Sequence, residues 1–372
     1  MNGRHAFDRP GKALLKFAWR LLQGGESAGD SRAAAALRAD TARPDLPAQL
    51  SFCRLAEELG ITGLLVDIGA AKPDPIVLSA SLGLATSSVE FIVACRSGLQ
   101  SPAVFVQQIN TLSALTGGRV VLNVVAGYSP VEQRYYGDFL KHDERYARTA
   151  EFLAVCAAFW RRDEPVNFSG RYYAVENGRL GSAFESPCRE RPELLIAGGS
   201  PAAREVAIDH GDCWMRLAEA PAALAAAAPA VLEAGKSLGL RLSIIGAATR
   251  SEALDIALAL QSGVDRTVPD RQIEGGFVAQ SDSTSIKAMY ETAGTTEWLT
   301  PVLWTGLVRS HGATAIALVG DPDAIADALI DFARVGVSQF ILSGWPKAES
   351  MKFFGEHVLP RVRRIERQSA RA

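Results

Sequence analysis

Four dipeptides constrain the fold of this chain more than any other feature: Asp74-Pro75, Ser101-Pro102, Ser200-Pro201 and Asp321-Pro322. Each pairs a side chain that can accept hydrogen bonds from the first turn of a helix with a proline, whose missing N–H costs nothing at the first helical position. Each also follows closely on an apolar run of strand length, and so marks the join between a strand and a helix. Strand-like runs lie near residues 16, 62, 89, 119, 193, 213, 241 and 339, with helical patterns between them. Eight strands alternating with helices predict an α/β fold, a (β/α)8 TIM barrel with insertions, whose functional groups gather at the strands' carboxyl ends. A doubly wound open sheet is the competing architecture. It normally carries a glycine-rich dinucleotide fingerprint after an early strand, and this chain has none.

Residues 1–15 read as an irregular basic N-terminal arm, 16–365 as a single barrel, and 366–372 as a tail. A mobile insertion is expected at about 264–310, because Gln272 to Thr300 is polar, rich in Ser, Thr, Asp and Gly, and interrupts the rhythm in the manner of a lid. A loop rich in Gly, Ser, Asp and Ala follows the first strand to about Pro47, long enough to be functional. A hairpin is expected over Val166–Val175, and helices over 221–238 and 251–261.

At 372 residues and 48% hydrophobic, the chain can bury a large core, and its net charge of −2 gives no electrostatic reason to expect nucleic acid or an acidic membrane surface as partner. A small molecule is the expected partner. No apolar run approaches the roughly 18 residues of a membrane span, and no signal-peptide pattern opens the chain, so a cytoplasmic location is expected. The five cysteines show neither CxxC spacing nor histidine pairing, so no metal site is expected and most of them should be small buried apolar residues.

Chemistry should lie at the end of the fourth strand. Val120 to Ala126 is apolar apart from Asn123 and ends at the turn Gly127-Tyr128-Ser129-Pro130; a polar loop and then a helix from Asp143 follow. Asn123 needs hydrogen-bond partners if buried, whether from a neighbouring loop or from a ligand. His142 suits either a ligand contact or a capping role. In ELLIAGGSPAAREVA, residues 193–207, Gly198 and Gly199 admit close backbone approach, and Ser200 opens a helix whose N-terminus suits a phosphate. Those residues suit an ordinary strand-to-helix turn equally well.

GGRVVLNVVAG (117–127) followed by HDERYARTAEF (142–152) resembles the bacterial-luciferase-like flavin monooxygenases, particularly the branch of alkanesulfonate, nitrilotriacetate and dibenzothiophene-sulfone monooxygenases. The resemblance implies a two-component enzyme, a homodimer or homotetramer, that takes reduced FMN from a separate NAD(P)H-dependent flavin reductase and oxidises a small organic molecule with O2. It implies a cofactor site of Asp67, Asn123, Ala126, Gly127, Tyr146, Gly198, Gly199 and Ser200, with the phosphate on the last three. It implies catalytic roles for Arg241, Arg309, His142 and Trp345. Other positions depart from the alkanesulfonate pattern: Lys72 replaces a cysteine, Ser243 and Gln23 replace histidines, Leu217 a tryptophan, and Trp345 itself a tyrosine. Cofactor binding is thus expected to be kept and sulfonate chemistry lost. The alternatives are a desulfonating enzyme of the alkanesulfonate type, a deazaflavin-dependent oxidoreductase, and a non-catalytic flavin-binding barrel.

Overall fold

The eight expected strands close on themselves. The structure, a computed structural model, describes residues 14–23, 43–262 and 281–370. In it β1 (Lys16–Arg20), β2 (Gly63–Val66), β3 (Glu90–Cys95), β4 (Val120–Val125), β5 (Glu193–Ala197), β6 (Cys213–Leu217), β7 (Ser237–Gly246) and β8 (Val337–Ser343) pair in parallel, each with the next. Pairing of β8 with β1 completes the barrel. Successive residues point alternately inward and outward. Ala18, Leu65, Ile92, Ala94, Val121, Leu195, Cys213, Met215 and Ile341 pack inside the barrel. Their neighbours Trp19, Leu64, Phe91, Val93, Val120, Leu122, Ile196 and Trp214 pack in the larger cluster beneath the helices. Burial on both faces is why these strands read as unbroken apolar runs.

The dipeptides act as expected. Asp74 accepts from Ile76 and Val77 N–H at 3.0 and 2.9 Å, Ser200 from Ala203 N–H at 3.2 Å, and Asp321 from Asp323 and Ala324 N–H at 3.1 and 3.0 Å. Each such cap is worth about 1 kcal/mol. The hairpin is present as Val166–Ser169 paired with Ala174–Gly178. Cys53, Cys95, Cys156 and Cys213 are buried and Cys188 is exposed. Among the described residues no helix is long and apolar enough to cross a membrane.

Several boundaries differ from expectation. The helix expected over 221–238 is two short ones, Pro221–Ala227 and Pro229–Glu233, and β7 already begins at Ser237. Pro229 cannot donate to the preceding turn, and Gly235, at φ +74°, ends the second helix. The loop after β4 contains a helix, Pro130–Tyr135, capped by Ser129. A further strand, Ala317–Gly320, runs beside the last four residues of β7. Ser243 pairs with Ser343 on β8 and with Ala317, so the added strand takes over the edge that β6 leaves at Leu217. The helix Leu359–Ser369 runs through residue 366, and buried Glu366 accepts from Leu15 N–H at 2.7 Å, tying it to the start of β1. Of the insertion expected at 264–310, residues 264–280 lie outside the described residues, as do 1–13 of the arm and 24–42 of the loop after β1. Its remainder contains the helix Thr284–Thr295.

Candidate functional site

Arg20 at the carboxyl end of β1, Lys72 in the loop beyond β2 and Arg241 in the middle of β7 meet on one carboxylate. Asp67, just past β2, receives Arg20 Nε at 2.6 Å, Lys72 Nζ at 2.9 Å and Arg241 Nη2 at 3.4 Å. Gln23 fixes the Asp67 backbone from both sides: its amide donates to the carbonyl and its oxygen accepts from the N–H, each at 2.9 Å. Burial by itself raises a carboxyl pKa, but Lys72, Arg241 and Arg20 outweigh it and hold Asp67 well below the ordinary range. Burial, and then the charge of Arg20, pushes the Lys72 ammonium down to about 7 against the pull of Asp67. Lys347, buried after β8, is likewise held well below its ordinary value by burial and by Arg20. Asp67 therefore serves as a common counter-ion to Arg20, Lys72 and Arg241.

Beside this group, at the end of β3, buried Arg96 donates to Glu132 at 2.7 Å. Asn123 shares the inward parity of Val121 and is 4% exposed; its Oδ1 has no partner among the described residues. The turn after β4 requires glycine. Gly127 lies at φ +85°, and a β-carbon there would overlap the Gln133 amide, which donates to the Ala126 carbonyl at 3.2 Å. Arg145 closes the turn from the helix His142–Arg161, donating to Ala126 O at 2.8 Å and Leu140 O at 2.9 Å, and through Nη2 to both oxygens of Asp282 at 2.8 Å. His142 meets Asp143 Oδ1 through Nδ1 at 2.7 Å, and its ring lies edge-on to that of Tyr146 at 5.1 Å.

Tyr146 leads to the Gly198-Gly199-Ser200 turn. Its hydroxyl donates to Ala197 O at 3.0 Å, and burial pushes its pKa up to about 12. Gly198 adopts φ +141°, and a β-carbon there would overlap the Tyr146 hydroxyl and Ala203. A β-carbon on Gly199 would overlap the Ser285 hydroxyl, which accepts from Gly199 N–H at 2.9 Å. Next to this turn lies a cavity of about 410 Å³ between the end of β6 and the helix Thr284–Thr295, lined among others by Gly199, Arg216, Leu217, Ser285 and Met289.

The structure thus gathers Arg20, Asp67, Lys72 and Arg241 in one group, and His142, Tyr146 and the 198–200 turn in another. Arg309 is exposed, with its guanidinium against Gly294 of the helix Thr284–Thr295. Trp345 packs edge-on against His311 at 4.9 Å, and Ser243 uses its hydroxyl on Thr314 O at 3.1 Å. Sequence reasoning passed over Arg20, Lys347, Arg216, Asp282 and Ser285. Arg20 had a readable signal: it is a charged residue closing an apolar strand, where a barrel places its functional groups. Asp282 and Ser285 had none, since their partners lie 137 and 86 residues away. Among the described residues no group of His, Cys, Asp and Glu could hold a metal ion.

Comparisons agree with this architecture. An EDTA monooxygenase from Chelativorans sp. BNC1 superposes with TM-score 0.74 at 20% identity, over 96% of this chain and 98% of that one. A riboflavin lyase solved with modified FMN and riboflavin superposes with TM-score 0.73 at 20% identity, over 95% of this chain and 92% of that one. An F420-dependent secondary alcohol dehydrogenase does so with TM-score 0.63 at 18% identity, over 94% and 99%. These likenesses establish the barrel. The sequence profile described as luciferase-like monooxygenase matches residues 22–339, most of the chain. The protein therefore belongs to the luciferase-like monooxygenase family and is a flavin-dependent oxidoreductase enzyme.

Proposed function

We propose that the protein oxidises a small organic molecule with O2 using reduced FMN delivered by a separate NAD(P)H-dependent flavin reductase. The residues fit such a cofactor. The observation that carries this reading is the glycine cradle at 198–199, where a β-carbon on either residue would collide with its surroundings beside a cavity of about 410 Å³. The unsatisfied buried Oδ1 of Asn123 inside the barrel supports it: such an acceptor calls for a donor, and the ring N–H of a flavin is one. Bound there, the flavin would supply the oxygen chemistry. The chain's own residues then have two tasks: the 198–200 turn holds the phosphate, and the apolar barrel interior keeps water from the ring.

Titration with FMN tests the reading. Ser200→Asp keeps a good helix cap while placing a negative charge at the phosphate end, so it should weaken FMN strongly without unfolding the protein. Unchanged FMN affinity in this variant would overturn the phosphate placement. A deazaflavin in place of FMN is the second reading, supported by the superposition on an F420-dependent enzyme. The absorbance of the titrated cofactor that binds tells the two apart, and oxygen consumption with reduced FMN follows only from the first.

A further inference from the structure

Arg216 stands beside the 198–200 turn, although it lies on a different strand. Its position is fixed by a short chain of contacts. Trp214, 2% exposed, donates through its indole N–H to Gly198 O at 2.6 Å, and the Arg216 guanidinium lies over the Trp214 ring, 4.5 Å from the centroid. Arg216 Nη2 is 3.6 Å from where a β-carbon on Gly199 would be, so the guanidinium faces the glycine cradle at van der Waals range. The side chain is 12% exposed, and its Nε is buried with no partner among the described residues. Its present acid partner is Glu219, three residues on, whose side chain is 32% exposed and free to turn toward solvent. Both line the cavity, together with Ser285 and Thr284.

A buried guanidinium with an unused donor, opposite glycine backbone and two hydroxyl-bearing residues, suits a phosphate far better than the single carboxylate that now holds it. We infer that Arg216 and Ser285 complete the phosphate end of the flavin site, Arg216 exchanging Glu219 for the cofactor's phosphate, so that the site selects phosphorylated over unphosphorylated flavin. This rests on the flavin reading above. It adds a specificity device: the phosphate must displace Glu219, which a flavin without phosphate cannot do.

The test is calorimetric titration of FMN and riboflavin into the full chain and into Arg216→Gln, Glu219→Gln and Ser285→Ala, with circular dichroism to verify folding. Wild type should prefer FMN. Arg216→Gln should lower FMN affinity by roughly 10- to 100-fold, the range for losing a hydrogen bond to a charged group, and leave riboflavin affinity unchanged. Glu219→Gln should shift FMN affinity the opposite way, because it removes the competing carboxylate. Ser285→Ala should weaken FMN more than riboflavin. An unchanged FMN-to-riboflavin ratio in Arg216→Gln, or no gain in Glu219→Gln, overturns the inference while leaving the flavin reading intact. Wild type that binds neither flavin overturns the flavin reading, and this inference with it.

Discussion

The Ser285 hydroxyl accepts a hydrogen bond from Gly199 N–H at 2.9 Å, across 86 residues of sequence. With the Arg145–Asp282 pair, which ties the same segment to the turn after β4, it clamps the start of the helix Thr284–Thr295 over the barrel mouth. Asp282→Ala should loosen this segment without unfolding the barrel, because Asp282 is partly exposed while Arg145 keeps its backbone acceptors. Limited proteolysis should then cut within 281–300 faster than in wild type. Equal cleavage rates would show that the pair does not hold the segment.

Asp67→Asn removes a carboxylate that Arg20, Lys72 and Arg241 share. Stability at neutral pH should fall by about 3 kcal/mol, the range for breaking a buried pair. The sign with pH follows from the depressed native pKa of Asp67. Its stabilisation is fully present above the unfolded carboxyl value of about 3.9 and is lost as pH falls toward the native one. Urea denaturation from pH 7 down to 3 should show an acid-sensitive limb in wild type that is shallower in the variant.

Lys72 titrates with the same sign at higher pH, although here it is the charged form that burial disfavours. Its native pKa of about 7 lies below the unfolded value, so between them the unfolded chain binds more protons and stability rises with pH. Compared with Lys72→Met, wild type should gain stability between pH 7 and 9 in urea denaturation. A difference between the two proteins that stays constant over that range would contradict the shifted pKa.

Gly198→Ala forces a β-carbon into the Tyr146 hydroxyl at a backbone angle that only glycine adopts readily. A loss of about 2–3 kcal/mol is expected. Adding Tyr146→Phe should recover part of it, because the hydroxyl is the nearest obstacle. A double-mutant cycle in chemical denaturation measures the coupling, and strict additivity would show that the clash is relieved elsewhere.

Simple alkanesulfonates should release little sulfite when assayed with a flavin reductase. The resemblance expects other residues at Lys72, Ser243, Leu217 and Trp345 in an alkanesulfonate enzyme, and here the Ser243 hydroxyl donates to Thr314 O while Trp345 packs on His311. Loss of positioned proton transfer lowers a rate about 10²–10⁴-fold. Robust sulfite production would move the desulfonating alternative to first place.

The barrel was legible in the sequence because its causes are local. Asp74, Ser200 and Asp321 cap helices a few residues away, and the apolar runs at 63–66, 90–95 and 120–125 report burial on both faces wherever those strands lie. The glycine turns at 127 and 198–199 were legible for the same reason, since a backbone conformation belongs to its own residues. Local pattern failed where it was too short or was overridden. Four residues, Ala317–Gly320, were too few to announce a strand, and Pro229 split what periodicity joined. The charge group could not be read at all as a group. Arg20, Asp67 and Arg241 meet only because closure of the barrel sets the ends of β1 and β2 near the middle of β7, which no spacing along the chain encodes. The same closure, together with the return of residues 281–295 over the mouth, decides that Arg216 and Ser285 face the Gly198–Gly199 turn and that Arg309 stays on the surface.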